Sequence, residues 1–102
     1  VDAQSLSGLA MVFHELATNA TKYGGLKDSD GKVAICWDTR PDGLKIEWTE
    51  RGGPAAVQPE TQSFGTRLVA STIRQLGATM DYDWQDEGLV ATIMLPRSSI
   101  AA

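Results

Sequence analysis

The run His14-Glu15-Leu16-Ala17-Thr18-Asn19-Ala20-Thr21-Lys22-Tyr23-Gly24 concentrates the groups able to do chemistry. If this run is helical, Glu15, Asn19 and Lys22 stand at i, i+4 and i+7 and share one face. A carboxylate, a carboxamide and an ammonium together make a metal–phosphate site. The carboxamide oxygen suits a hard cation such as Mg²⁺, which keeps several waters and bridges phosphates. The ammonium answers phosphate charge. A plainer account is a solvated face on which Glu15 pairs with Lys22 or with water. Asn19 strains that account, because Asn competes with its own backbone and is a middling helix former, yet it sits mid-helix. Its small neighbours Ala17, Thr18 and Ala20 leave room for something to lie against this face.

The elements that must position these groups follow from periodicity. Leu6, Leu9, Phe13, Leu16 and Ala20 recur at spacings of three and four, which predicts a helix from about Gln4 to Tyr23 with the Glu15-Asn19-Lys22 face opposite. Asp2 or Ser5 can cap its start, and Gly24-Gly25 ends it. Val33, Ile35 and Trp37 then alternate after Gly31; Arg40-Pro41-Asp42-Gly43 is turn chemistry; Leu44, Ile46 and Trp48 alternate again. That is a hairpin. From Gly52-Gly53-Pro54 to Ser63 the chain loses periodicity and reads as a mobile loop of functional length, since most connections run about 4–6 residues. A second helix is expected from about Thr66 to Leu76, stopped by Gly77. Met80, Tyr82 and Trp84, then Leu89, Ala91, Ile93 and Leu95, form a second hairpin around Asp86-Glu87-Gly88; Pro96 ends it and Ser98 to Ala102 form a frayed tail. Helix, hairpin, loop, helix, hairpin is an α+β order with two layers: a largely antiparallel sheet with helices on one face. Two helices cover one face of four strands, so the other face is exposed or meets another domain.

Composition narrows the function classes. The 102 residues suffice for one domain, taken as residues 1–97, and 42% hydrophobic content allows a core. No apolar stretch approaches the roughly 18 residues of a membrane span. The start, Val1-Asp2-Ala3-Gln4, lacks the character of a signal peptide and an initiator Met, so the chain reads as a piece of a longer protein. The nine basic residues are scattered and the net charge is -4, which argues against a sequence-independent nucleic-acid binder. The lone Cys36 makes no internal disulfide, fits a reducing, cytoplasmic setting, and is expected as a small buried strand residue. Trp48, on an alternating strand, is expected in the core.

His14 to Gly24 resembles the N-box of histidine kinases in the GHKL superfamily, which share the Bergerat ATP-binding fold. The His-initial variant, with Trp48-Thr49-Glu50, resembles the HWE subfamily, and the likeness continues through Gly52-Gly53-Pro54 and Phe64-Gly65-Thr66-Arg67-Leu68-Val69. It implies a two-layer α/β sandwich with a mostly antiparallel mixed sheet, binding ATP and Mg²⁺. Position by position, it implies that Asn19 coordinates Mg²⁺ and that Glu15 orients or activates groups near the γ-phosphate, these two being catalytic. Lys22 would touch phosphate, Tyr23 would lie against the nucleotide, and Glu50 would accept from the adenine amino group. Gly52 and Gly53 would allow backbone approach to the base, and Gly65 would offer helix amides to phosphate. His14, Phe64, Thr66 and Leu68 would border the pocket, and Ala55 to Ser63 would form a short lid. Ser63 stands where a Gly is expected, which should stiffen the lid hinge. The strand that precedes the first helix in the family has no counterpart, which would leave a sheet edge unpaired.

On this resemblance the domain donates the γ-phosphate to a His on a separate dimerisation and phosphotransfer domain of the same kinase. A response regulator lies downstream, and homodimerisation runs through the absent domains. His14 is a subfamily marker and not the phosphoacceptor. The alternatives are a relay or docking module that has lost ATP binding, a Ser/Thr kinase of the same superfamily, and a chaperone- or topoisomerase-type ATPase.

Overall fold

A computed structural model describes residues 3–26 and 30–97. Along the chain they form α1 (Ala3–Tyr23), β1 (Lys32–Arg40), β2 (Gly43–Arg51), α2 (Phe64–Gln75), β3 (Thr79–Gln85) and β4 (Gly88–Pro96). The strands make one sheet in the order β1-β2-β4-β3, and all three pairings are antiparallel. Each hairpin pairs with itself first, and the two are then joined through β2 and β4, with Ile46 opposite Ile93 and Trp48 opposite Ala91. The expected caps at Asp2 and the expected tail from Ser98 lie outside the described residues.

The period-two pattern decides which side of the sheet is dry. Ile46, Trp48, Leu89, Ala91, Ile93 and Leu95 point one way and join Leu9, Val12, Leu16 and Ala20 of α1 and Val69, Ile73 and Leu76 in and just after α2 in one buried cluster. Lys45, Glu47, Thr49, Thr92, Asp81 and Asp83 occupy alternate positions on the other side. That second face is polar enough to meet water without a covering layer. Cys36 falls on it and is exposed, contrary to the buried position expected, because its partner across β2 is Glu47 and it shares that outward parity.

The apolar stripe of α1 keeps Leu9, Leu16 and Ala20 as expected and shifts by one residue at two positions, from Leu6 to Ser5 and from Phe13 to Val12. Val12 is fully buried while Leu6 is 63% exposed, and Ser5, proposed as a cap, is a buried helical residue. The inner line is therefore Ser5, Leu9, Val12, Leu16 and Ala20, again at spacings of three and four. Phe13 sits at its margin, its ring 6.3 Å from that of Trp48 and 6.0 Å from that of Trp37. The shift turns Glu15 and Asn19 from a solvent face into a half-buried flank. On the same line of the helix, a Cβ at Gly8 would lie 3.1 Å from both Leu76 and Thr72, so this flank faces α2.

Helix α2 begins two residues earlier than the periodicity predicts because Ser63 caps it. The Ser63 hydroxyl oxygen accepts from the Thr66 N–H at 3.1 Å, with the cap residue extended. At the other end Gly77 takes φ +67°, its N–H donates to the Arg74 carbonyl, and the Ala78 N–H donates to the Ile73 carbonyl, each at 3.0 Å. These two bonds make a Schellman stop, which a left-handed residue such as Gly permits.

Candidate nucleotide site on the first helix

Besides the buried stripe of α1, two junctions tie the helix to the rest of the molecule by joining an acid to glycine. At the first, the Glu15 carboxylate occupies the space where a side chain on Gly65 would be, beside the first turn of α2. A larger residue at 65 would evict it. A carboxylate is favoured there by the partial positive charge of a helix N-terminus. No ion pair joins Glu15 to Lys22 among the described residues.

The second junction lies at the C-terminal end of α1. Glu50, on β2, is 3% exposed, and both its oxygens are taken. Oε1 accepts from the Gly25 N–H at 2.8 Å and Oε2 accepts from the Trp48 indole N–H at 2.9 Å. The turn is pressed against the acid: a Cβ at Gly24 would overlap Oε1, and one at Gly25 would lie 2.7 Å from the Glu50 Cβ. Gly53 closes the packing from the other side, where a Cβ would lie 2.7 Å from the Gly24 carbonyl oxygen. Gly52 turns the chain with φ +82°. Backbone meets backbone here, which only glycines permit.

Among the sequence-derived site residues, Glu15 is thus brought to Gly65, and Glu50 to the loop of Gly52 and Gly53, with Asn19 half-buried on the helix between the two junctions. His14 and Lys22 are exposed, Tyr23 is 72% exposed and Phe64 is 80% exposed, so these four are open to solvent. Thr66 serves the helix cap. Leu68 lines a groove of about 510 Å³ between α1 and α2, whose other walls are Ser7, Gly8, Met11, Thr72, Gln75 and Leu76. That groove lies along the N-terminal half of α1, and Glu50 and Asn19 take no part in it.

The segment between Gly53 and Ser63 is tied at both ends. The Ala56 N–H donates to the Gln85 carbonyl at 3.0 Å, and Ser63 is fixed as the α2 cap. Arg51 braces the base of the segment, donating to the Glu50 carbonyl and to Gln85 Oε1, both at 2.9 Å.

Tyr82, on β3, feels the charge of Glu15. Its ring stacks on Trp84 with centroids 5.5 Å apart, and its phenol ionises above the ordinary value of 10.0. Although Tyr82 keeps 38% of its surface exposed, partial burial is the larger cause and the negative charge of Glu15 the second. No sequence signal could have paired Tyr82 with Glu15, since the sheet order alone brings them near. Trp48 is in the core, as expected, and its indole N–H also reaches Glu50; the Trp-x-Glu spacing sets both side chains on one strand face.

Comparison with solved structures returns histidine kinase domains. The histidine kinase domain of the blue-light-activated kinase EL346 from Erythrobacter litoralis superposes with a TM-score of 0.81 over 96% of this chain and 50% of that one, at 20% identity. The Acinetobacter baumannii histidine kinase AdeS gives a TM-score of 0.71 over 88% of this chain and 46% of that one, at 21% identity. The fold is that of a histidine kinase catalytic domain. In sequence, the chain is 36% identical over 96 residues to blue-light-activated histidine kinase 1 of Erythrobacter litoralis, covering 91% of this chain and 27% of the relative. It is 38% identical over 91 residues to a blue-light-activated histidine kinase of Rhizobium johnstonii, covering 86% and 26%. No protein-family profile matches the chain. The chain belongs with the catalytic domains of histidine kinases, and it spans about a quarter of the length of these relatives. No described helix is long and apolar enough to cross a membrane.

Proposed function

We propose that this domain binds Mg·ATP and serves as the catalytic half of a two-component histidine kinase of the HWE branch, handing the γ-phosphate to a His on a separate dimerisation domain. The response regulator then receives it. One observation carries the reading: α1 is anchored at its C-terminal end by an acid on a glycine loop and, from its middle at Glu15, presents an acid to the first turn of α2. A base at Glu50 and phosphates at Gly65 would lie along the flank that holds Asn19.

The donor set fits Mg²⁺ of the nucleotide kind. Such an ion takes one or two protein oxygens and completes its shell with phosphates and water. The half-buried Asn19 carboxamide, with Glu15 one turn away, supplies that number. When bound, the ion would neutralise charge on the β- and γ-phosphates. The protein's own contribution is positional. Asn19 holds the metal side. Glu15 leaves its place against Gly65 so that the α2 amides face the anion. Glu50 accepts from the exocyclic amino group through lone pairs that Gly25 and Trp48 leave open.

Calorimetric titration with ADP or a non-hydrolysable ATP analogue, with and without Mg²⁺, tests this on the parent domain and on Asn19→Ala. Mg²⁺-dependent binding that Asn19→Ala weakens at least tenfold is expected. A folded parent that binds no nucleotide would leave the docking-module reading instead. Binding indifferent to both Mg²⁺ and Asn19 would remove Asn19 from the metal site. The domain by itself is expected to bind without autophosphorylating.

A further inference from the structure

Trp48 is buried and its ring lies nearly parallel to Phe13, at 18°. An apolar ring of any kind would fill that space. The indole nitrogen adds what packing does not need: its N–H donates to Glu50 Oε2 at 2.9 Å. Residues two apart on a strand share a face, so donor and acceptor are neighbours along β2. The second oxygen is held from across the molecule by Gly25, 25 residues away in sequence. The last torsion of a Glu side chain is broad and roughly two-fold, so one donor leaves the carboxylate plane loose. Two donors, one from the strand and one from the turn after α1, fix it. Each oxygen has two lone pairs and spends one on the protein, so the direction of the remaining acceptor positions is set by this pair of donors.

We infer that Trp48 is a positioning residue for base recognition, orienting Glu50 so that the site takes a purine with a 6-amino group and rejects one with a 6-oxo group. This rests on the nucleotide-binding reading above. A carboxylate only accepts, so it pairs with an amino donor and repels a carbonyl oxygen. That discrimination is sharp only while the carboxylate is held. Gly24 and Gly25 belong to the same device, because their lack of side chains lets the turn reach Oε1.

Trp48→Phe keeps a ring against Phe13 and removes the donor. Without nucleotide, the Gly25 amide should exchange with solvent at least tenfold faster in the variant, while the Ile46 and Ile93 amides of the central strands keep their protection. With nucleotide, Mg·ADP affinity should fall about tenfold and Mg·GDP affinity should stay where it was, the size expected for one hydrogen bond to a charged group. An equal fall for both nucleotides would assign Trp48 to packing and overturn the inference, as would unchanged Gly25 exchange. If Phe at 48 unfolds the domain, 3-benzothienylalanine at that position retains the indole volume and lacks only the N–H, and the same outcomes apply. A parent that binds neither nucleotide sinks the nucleotide reading and base recognition with it. The Gly25 exchange would still decide, separately, whether Trp48 orients Glu50.

Discussion

Glu50 is buried with two protein donors pointed at it, and this makes it costly to remove before any ligand is considered. Glu50→Ala strands the Gly25 and Trp48 N–H groups. At about 1–3 kcal/mol for each of the two unsatisfied buried donors, a loss of roughly 2–6 kcal/mol is expected in denaturant unfolding. Glu50→Gln keeps one acceptor oxygen and should cost about half as much. Tyr82 offers a second test at this scale. The chain has two tyrosines, so in Tyr23→Phe the phenolate absorbance reports Tyr82 alone. Its midpoint should lie above 10.0, and Glu15→Gln should lower it by removing the smaller of the two causes. The sign for stability follows from linkage. A phenol whose folded pKa is raised favours the folded state while protonated, so its contribution is whole below pH 10.0 and is lost as pH climbs through the folded value. Tyr82→Phe should therefore flatten the alkaline fall in stability.

At the scale of elements, α2 depends on its first turn. Ser63 supplies the cap where the family resemblance leads one to expect glycine, so Ser63→Ala should cost about 1 kcal/mol and Ser63→Gly only a few tenths, read from thermal or denaturant midpoints. At this position the Ser63 hydroxyl makes a helix cap. This element also marks how far sequence carries. Both helices and all four strands were legible, because periods of 3.6 and 2 survive in the residues themselves. What misled was phase. Leu6 looks like core by type, yet the buried line runs through Ser5 and Val12, and the choice depends on where α2 packs. Cys36 has the type of a core residue and the parity of a surface one. In the candidate site, the spacing of Glu15, Asn19 and Lys22 was visible locally. The contacts of Glu15 with Gly65 and of Glu50 with Gly25 were not, since each needs two distant segments to meet.

Across the whole molecule, the proposed ligand would bridge two separate elements: the end of the interior strand β2 at Glu50 and the start of α2. A ligand that binds only the folded state adds stability by mass action, about 2.7 kcal/mol at a hundredfold excess over Kd. For a domain of this size each kcal/mol moves the melting midpoint by about 4–8 °C, so saturating Mg·ADP should raise it on the order of 10–20 °C. The same nucleotide without Mg²⁺ should give a clearly smaller rise, and Asn19→Ala should bring the Mg²⁺ value down to the metal-free one. Gly65→Ala separates the two ends of the site. The added methyl evicts Glu15 and narrows the approach to the α2 amides, so the nucleotide-induced rise should shrink while the exchange of Gly25, held by Glu50, stays as in the parent. If Gly65→Ala instead left the nucleotide effect whole, phosphates would have to be held elsewhere, and the groove lined by Leu68 and Thr72 would become the place to look.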